Sequence, residues 1–509
     1  MRKSILKHNP TRSITLMLQG TSSHVGKSVI TAALCRILKK KGFKAAPFKA
    51  QNMALNSFVT TDGGEIGRAQ AHQAEAAGIE PNSDMNPILL KPTDDRKAQV
   101  IIQGRVHGVM SASQYHGFKK EARKYVLESF QRLSSIYNII VIEGAGSPAE
   151  INLRENDIAN MGAAKLTNSP VVIIGDIDRG GVFASLVGTM ELLTKDERKR
   201  VAGFIINKFR GDMSLLMPGI SYLEKRTGLP VLGVIPYLRD MALPDEDSVS
   251  LDGRGGRGKN PGRLKISVVK LPRISNFTDF DPLKADAGIE LRYIERPEDV
   301  SGSCMVIIPG SKNTVKDLLW LKEKGLHKAI KRFYENGGHV AGICGGYQML
   351  GKSIRDPHGA ESVVKSAEGL CLLDAKTVLK KEKKTCQVEG RARDPLTKKA
   401  FDIKGYEVHM GDTVSAGPPF ARITRKGQAA CVVKDGAVSL DGRVWGTYIH
   451  GIFDNDGLRS SILKGLGQKG AGKQEKKKFS RVREASLSRL SSAVEKSLDM
   501  KRLFKIMGI

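Results

Sequence analysis

The stretch Ile14-Thr-Leu-Met-Leu-Gln-Gly-Thr-Ser-Ser-His-Val-Gly-Lys-Ser28 decides the fold of the first half of the chain. Its apolar run, residues 14–18, is short and continuous, as in a strand that is buried on both faces of a parallel sheet. The glycine-rich turn after this run leads into a helix-like segment, residues 29–40. A strand, a glycine turn and a helix in this order are typical of a doubly wound α/β domain.

The same turn carries residues that suit phosphate binding. Backbone N–H groups at Gly20 and Gly26 and the helix N-terminus attract anionic oxygens, Lys27 can reach outer phosphates, and the Ser28 hydroxyl is a ligand for Mg²⁺. Five residues separate the two glycines, one more than in the strict P-loop pattern. An ordinary glycine-rich turn is the alternative, but the order of strand, Gly-Lys-Ser and helix favours a nucleotide site.

Two carboxylates are candidates to complete the Mg²⁺ shell. Glu143 ends the apolar run 139–142, at the edge where open α/β sheets bind their ligands. Asp62 precedes a second helix-like segment. A solvated turn for Glu143 and a helix cap for Asp62 are the alternatives. Asn207 ends another apolar run, and its amide suits the edge of a purine base, although a turn residue would look the same.

Similar apolar runs continue along the chain and define its domains. They predict parallel strands at residues 171–174, 204–206, 231–235, 264–269, 305–308, 340–343 and 444–449. The glycine- and arginine-rich residues 251–263 have the composition of a linker. We therefore predict two doubly wound α/β domains, residues 1–250 and 264–458. A basic segment with an amphipathic C-terminal helix, residues 459–509, follows them.

A second functional turn is predicted in the C-terminal half. Gly342-Ile-Cys-Gly-Gly346 follows the run 340–343 and has the shape of a nucleophile elbow, which lifts Cys344 into a cleft. The helix that follows stabilises a thiolate at its N-terminus. A buried, inert thiol is the alternative. The six cysteines contain no C-x-x-C pair, so neither a disulfide framework nor a structural zinc site is indicated.

A thiolate nucleophile needs a base and an oxyanion site. His450 ends the last apolar run and precedes a glycine, whereas His409 is a rival candidate. The backbone N–H groups of Gly310, just after the run 305–308, and of Gly345 are candidates to bind an oxyanion. A plain turn is the other interpretation of Gly310.

Charge and hydropathy exclude several classes of protein. The chain has 509 residues, and its Lys and Arg exceed its Asp and Glu by 82 − 53 = 29, so its surface attracts anions. Basic runs lie in the linker, at residues 380–384 and at 473–478, and we expect them to lie away from both proposed active centres. Because no aromatic residues accompany them, a nucleic-acid partner is disfavoured. No apolar run approaches the ~20 residues of a membrane span, and the cysteine usage favours the cytoplasm.

The motifs resemble those of the cobyric acid synthases. Gly20 to Ser28 and Glu143-Gly-Ala-Gly146 are similar to dethiobiotin synthetase, and the half with Cys344 and His450 is similar to class I glutamine amidotransferases. Longer blocks of the family occur in order, at Lys49-Ala-Gln-Asn-Met-Ala-Leu-Asn56, Asp62-Gly-Gly-Glu-Ile-Gly-Arg-Ala-Gln70, Gly175-Asp-Ile-Asp-Arg-Gly-Gly181, Asn207-Lys-Phe-Arg-Gly-Asp212, Pro309-Gly-Ser-Lys-Asn-Thr314 and Tyr406-Glu-Val-His-Met-Gly411.

The resemblance implies amidation of the b, d, e and g carboxylates of adenosylcobyrinic acid a,c-diamide in cobalamin biosynthesis, with ATP, Mg²⁺ and glutamine. Cys344 would attack glutamine, His450 would shuttle the proton, and ammonia would pass to an acyl phosphate in the N-terminal domain. Class I amidotransferases carry a Glu two residues after this His, but Ile452 stands here, so the third catalytic member is unassigned. The oligomeric state is not predicted.

Two other functions stay open. The first is an amidating enzyme of the same kind that acts on a different carboxylate. The sequence distinguishes this function from the amidation of the corrin least well. A P-loop partition or regulatory ATPase usually has a Lys directly after the first glycine, where Thr21 stands in this chain.

Overall fold

The computed structural model describes residues 13–94, 96–238, 263–362, 364–426, 431–468 and 478–509. The predicted linker, residues 251–263, lies outside this description except for its last residue, and most of the basic run 473–478 also lies outside it. The predicted fold class is confirmed: the described residues contain two α/β sheets, one in each half of the chain, and both are built mainly from parallel strands.

The N-terminal domain alternates strands and helices. Its elements in chain order are β1 (Ile14–Gly20), α1 (Lys27–Lys40), β2 (Ala45–Phe48), β3 (Gln51–Met53), β4 (Ser57–Val59), β5 (Glu65–Gly67), α2 (Arg68–Ala77), β6 (Ile88–Pro92), β7 (Lys97–Ile102), β8 (Arg105–Ser111), α3 (Ala112–Ile136), β9 (Ile139–Glu143), α4 (Met161–Thr167), β10 (Val171–Asp176), α5 (Val182–Leu192), α6 (Lys195–Arg198), β11 (Val201–Phe209), α7 (Met213–Thr227) and β12 (Val231–Pro236).

Strand β1 lies inside a six-stranded parallel sheet of order β12-β11-β10-β1-β9-β2. Helices cover both faces of this sheet, which explains why its strands are apolar without alternation. Leu16 and Leu18 face one hydrophobic core, and Met17 faces the other. The carboxyl ends of β1, β9, β10 and β11 therefore meet at one edge.

The C-terminal half follows with β13 (Leu264–Val269), β14 (Ile274–Ser275), α8 (Asp281–Lys284), β15 (Ile289–Ile294), β16 (Met305–Ile308), β17 (Gly310–Ser311), α9 (Thr314–Glu323), α10 (Leu326–Glu335), β18 (His339–Ile343), α11 (Gly345–Leu350), β19 (Ser353–Arg355), β20 (Ser366–Glu368), β21 (Ala375–Arg393), β22 (Ala400–Ser415), β23 (Ala421–Arg425), β24 (Val433–Asp435), β25 (Ala437–Val438), β26 (Val444–Thr447), β27 (Ile449–His450), α12 (Asp456–Gly465), α13 (Phe479–Ser497) and α14 (Met500–Met507).

The second domain has a sheet of order β15-β13-β16-β18-β26-β25, parallel except at its β25 edge. Next to it, β19 to β24 and β27 form a mixed sheet around the long antiparallel pair β21–β22. This pair reaches the N-terminal domain: the Thr385 hydroxyl donates to the Gly63 carbonyl at 2.7 Å. The sequence predicted neither this sheet nor the four-stranded sheet β3-β6-β7-β8 of the first domain.

The C-terminal helices return to the first domain. Leu487, Leu490 and Val494 of α13 share a hydrophobic core with Ile30 and Leu34 of α1. The predicted boundary at residue 458 falls inside α12, whose apolar residues pack into the second domain. The amphipathic C-terminal helix that the sequence predicted thus completes the N-terminal core.

Candidate active sites

Cys344 occupies a sharp turn between β18 and α11. Its backbone angles, φ 51° and ψ −108°, are rare for a residue with a side chain, and such strain is often kept at functional sites. A Cβ atom at Gly346 would overlap the carbonyl oxygen of Ile308, so the turn needs glycine there. The Gly-x-Cys-Gly-Gly pattern is thus explained by how closely strand and helix approach each other.

His450, Asp279 and Cys344 lie together. The His450 Nδ1 atom is 2.7 Å from Asp279 Oδ2, and Asp279 Oδ1 accepts a hydrogen bond from Gly451 N at 2.9 Å. The imidazole and Cys344 line the same cavity, where the thiol donates to the Val408 carbonyl at 3.7 Å. Burial opposes a positive charge on His450, but Asp279 and Cys344 offset this and raise its pKa to about 10. The Asp279 carboxylate thus favours the imidazolium form of His450.

Asp279 is the residue that sequence reasoning missed. It lies on a 3₁₀ turn, Phe277–Phe280, 171 positions before His450. Ile452, where class I amidotransferases carry their Glu, is buried in the core. The one available signal was an acidic residue in the otherwise uncharged stretch Phe277-Thr-Asp-Phe280, because a carboxylate buried among such residues needs a partner.

The rival His409 has different partners. Its Nδ1 atom lies 2.8 Å from the Gly411 carbonyl oxygen, and its Nε2 atom lies 3.4 Å from Glu407 Oε1. Its ring also stacks on Tyr448 at a centroid distance of 3.8 Å. Both histidines line the Cys344 cavity, but only His450 has a hydrogen bond to Asp279 among the described contacts.

Cys344 and His450 line a small cavity of about 30 Å³ together with Lys312 and Glu361. This volume is enough for a water molecule. The two predicted oxyanion residues lie beside it. A Cβ atom on Gly310 would be 3.3 Å from His450 Cε1, and one on Gly345 would be 3.0 Å from the Ser311 nitrogen. Their roles as hydrogen-bond donors stay a prediction.

Lys383 corrects the expectation that the basic run 380–384 lies away from both centres. Its side chain is 6% exposed, pairs with Glu65 of the N-terminal domain and lines the Cys344 cavity. Burial lowers the pKa of Lys383 to about 7, although Glu65 opposes this. The pairing register of β21 shifts between Leu379 and Lys384, and this irregularity coincides with the inward lysine.

The predicted phosphate turn lies at the carboxyl edge of the first sheet. Gly26 has φ 104°, and a Cβ atom there would overlap the Asn207 amide, whose nitrogen donates to the Val25 carbonyl at 2.7 Å. Lys27 Nζ donates to the Ser22 and Gly146 carbonyls, both at 2.9 Å. Asn207 thus holds the turn, and its predicted purine contact stays a prediction.

Glu143 is fully buried beside Ser28. Its Oε1 atom accepts from Ser28 Oγ at 2.7 Å and from Lys49 Nζ at 2.8 Å, and its Oε2 atom accepts from Gln73 Nε2 at 2.6 Å. A hydroxyl and a carboxylate side by side fit a Mg²⁺ ion whose remaining ligands are phosphate and water. In the described part of the chain, no three His, Cys, Asp or Glu side chains cluster as a metal site.

Asp62 lies elsewhere. It is on the turn between β4 and β5, where its side chain contacts Thr60 and its carbonyl accepts from Arg105 at 3.3 Å. None of its described contacts joins it to Ser28 or Glu143. A metal role for Asp62 gains no support from this placement.

No helix within the described ranges is both long and apolar enough to span a bilayer.

Known proteins match both halves. Residues 16–250 match the family model of the CobQ/CobB/MinD/ParA nucleotide binding domain, and residues 265–458 match that of the CobB/CobQ-like glutamine amidotransferase domain. The chain is 48% identical to the cobyric acid synthase of Syntrophobacter fumaroxidans, over 98% of this chain and 99% of that one. It is 51% identical to that of Moorella thermoacetica, over 97% of both chains.

Proposed function

Since this chain belongs to the cobyric acid synthase family, we propose that it amidates the b, d, e and g side-chain carboxylates of adenosylcobyrinic acid a,c-diamide. The product would be adenosylcobyric acid, with glutamine as nitrogen donor and ATP as energy source. One observation carries the proposal: a single chain holds both a Cys344–His450–Asp279 site and a Lys27–Ser28–Glu143 site.

The C-terminal site would release ammonia from glutamine. The Cys344 thiolate attacks the side-chain amide carbon, and the protonated His450 gives its proton to the leaving nitrogen, so that ammonia and a thioester form. His450 then takes a proton from water, which displaces the thiolate and gives glutamate. Asp279 keeps the imidazole oriented through Nδ1. Backbone N–H groups at Gly310 and Gly345 would stabilise the oxyanion of each step.

The N-terminal site would activate the corrin carboxylate. When bound, ATP would supply the phosphoryl group that converts the carboxylate to an acyl phosphate. Ammonia would then attack the acyl carbon, so that the amide forms and inorganic phosphate leaves. Gly20, Gly26 and Lys27 would bind the phosphates, and Ser28 and Glu143 would hold Mg²⁺. Asn207 would keep the turn in place from the neighbouring strand.

Buried polar side chains support ammonia transfer between the two sites. Glu65 and Lys91 pair at 2.8 Å next to the Cys344 cavity, and Asn52 donates to Gln70 at 3.0 Å farther into the N-terminal domain. Gln73 then reaches Glu143. A buried polar atom without a hydrogen-bond partner lowers the stability of the fold. Among the described residues, neither Gln70 Nε2 nor Gln73 Oε1 has a hydrogen-bond partner. A small polar molecule on this route would satisfy them.

The charge and cysteines support the setting we propose. A substrate with several carboxylates and a nucleotide are both polyanions, and both suit a chain of net charge +29. Nucleic acid suits the chain less well, because its basic runs lack interleaved aromatic residues. All six cysteines are free, which supports the cytoplasm as compartment. A P-loop regulatory ATPase would leave the buried Cys344, His450 and Asp279 unexplained.

The test uses glutamine that carries a heavy nitrogen isotope in its side-chain amide. The full chain is incubated with this glutamine, ATP, Mg²⁺ and adenosylcobyrinic acid a,c-diamide, and products are resolved by mass spectrometry. We expect one heavy nitrogen at each of the b, d, e and g positions. If the corrin is left unchanged while another carboxylic acid is amidated, the proposed substrate is wrong and the enzyme acts on that other acid.

A further inference from the structure

The N-terminal domain contacts the turn that carries Asp279. Asn56 is 1% exposed, and its Oδ1 atom accepts from Phe277 N at 3.0 Å. In the opposite direction, Ser57 N donates to Asn276 Oδ1 at 2.9 Å. Two asparagines, one from each domain, thus each accept a hydrogen bond from the backbone N–H of the residue that follows the other asparagine. Both hydrogen bonds are buried.

This asparagine pair lies directly before the catalytic carboxylate. Asn276 has φ 53° in the left-handed region and starts the 3₁₀ turn, and Asp279 N donates to its carbonyl at 2.9 Å. A residue in this conformation is strained unless its surroundings hold it. The hydrogen bonds from residues 56 and 57 provide such a hold, so the position of Asp279 depends on the other domain.

The same N-terminal segment also reaches His450 from the other side. The Tyr406 hydroxyl donates to the Ser57 carbonyl at 3.1 Å, and its ring stacks on His450 with a centroid distance of 5.4 Å and an interplanar angle of 22°. Phe58 packs on the same tyrosine at 5.3 Å. Residues 56–58 therefore support both partners of the Asp279–His450 hydrogen bond.

We propose that Asn56 is a positioning residue of the glutaminase, supplied by the nucleotide-binding domain. By fixing the start of the Phe277–Phe280 turn, it holds Asp279 against His450 Nδ1 and so keeps the imidazole aimed at Cys344. This inference rests on the proposed function, since it needs hydrolysis of glutamine at Cys344. Its segment begins at Lys49, which bonds Glu143 in the ATP site, so one stretch of chain touches both centres.

The test compares two activities of the full-length Asn56→Ala variant, glutamine hydrolysis and amidation with added ammonia. We expect kcat for glutamine hydrolysis to fall about 10- to 100-fold, as when a catalytic group is misplaced by about 1 Å. The KM for glutamine should change less than about twofold, because uniform binding is untouched. The high-pH limb of kcat should move to lower pH, since a looser Asp279 holds the proton of His450 less tightly.

Asn82→Ala is the matched control. Asn82 also accepts a backbone hydrogen bond in the N-terminal domain, from Asp84 at 3.1 Å, but no described contact joins it to the C-terminal domain. Both activities should be unchanged in this control. Asn276→Ala should reproduce the loss, and the double variant should lose no more than the worse single one, because both act through one pairing.

Two outcomes overturn the inference: an unchanged kcat and pH limb in Asn56→Ala, or a loss of hydrolysis in Asn56→Ala that Asn276→Ala does not reproduce. Retained ammonia-dependent amidation shows that each variant is folded. The proposed function fails separately, if the unmodified chain does not hydrolyse glutamine at all.

Discussion

The two active centres are built on the same structural position, the turn after a parallel strand, yet the turns differ in kind. The turn 20–28 is long, and Lys27 bonds backbone carbonyls that phosphate oxygens can replace. The turn 342–346 is short, and backbone atoms approach Gly342 and Gly346 so closely that a Cβ atom at either glycine would overlap them. In the proposed function, reversible anion binding would use the turn with replaceable contacts, and covalent catalysis would use the turn that is held in one conformation.

The largest expected effect separates the chemistry of the two turns. Cys344→Ala removes the proposed nucleophile, so glutamine-dependent amidation should fall by at least about 10³-fold, as in other enzymes that lose a catalytic nucleophile. Amidation with added ammonia should persist, because the N-terminal site is intact. Rates with both nitrogen donors are measured in parallel. Equal loss of both would mean that the two centres do not work as separate sites.

Lys27→Ala should produce the opposite pattern. It removes the cation that stabilises charge on the transferring phosphates, a loss of about 10²- to 10³-fold for a comparable group. Synthesis from glutamine and from ammonia should fall together, while glutamine hydrolysis continues. Lys39→Ala, at the exposed end of the same helix, is the control and should change neither activity. Normal synthesis in the Lys27 variant would contradict an ATP role for this turn.

A methyl group added to each turn tests their rigidity. Gly346→Ala would clash with the Ile308 backbone, so we expect a loss of stability of about 1–3 kcal/mol or more and a strong loss of glutaminase. Gly26→Ala meets the movable Asn207 side chain and mainly suffers its left-handed φ, about 1 kcal/mol. Thermal melts of both variants measure which substitution lowers stability more. A larger loss of stability for Gly26→Ala would contradict the prediction that the turn 342–346 is the more rigid one.

The smallest effect concerns Lys383, at the contact between the two halves. Its folded pKa of about 7 lies below the ~10.4 of a free lysine, so its protonated form costs stability below pH 7. That cost is relieved as the pH rises from about 7 to 10.4. Lys383→Met should be as stable as the parent or slightly more so, because Glu65 keeps Lys91. Melting temperatures at pH 6 and pH 9 should differ less in the variant; an unchanged difference would argue against this titration.

Much of the fold was predictable because both parallel sheets are buried. Continuous apolar runs predicted β1, β9, β10, β16 and β18. The turns after β1 and β18 carry glycines at positions where neighbouring atoms leave no room for a Cβ atom. The β21–β22 pair escaped prediction because neither strand has a continuous apolar run and β21 carries the lysines of residues 380–384. Charge alone made residues 380–384 look like a solvated loop.

The candidate sites were predictable only where their residues are adjacent in sequence. Cys344 and Lys27 belong to turns that show their own geometry. Asp279 and Lys383 have partners 171 and 318 positions away, and only the folded chain places them together. Asp62 has the right chemistry for a metal ligand, but its turn faces the other domain. The type of a residue therefore predicted which chemistry it could perform, whereas tertiary packing decided which site it reached.

The return of α13 to the first domain has a consequence for biosynthesis of the chain. A ribosome adds about 5–20 residues per second, and N-terminal domains usually fold first as they emerge. Here Leu487, Leu490 and Val494 are synthesised long after α1, although they complete the core against it. The N-terminal domain is therefore expected to keep part of its apolar surface exposed until α13 has left the ribosome. Chaperones that cover such surfaces would matter most for this half.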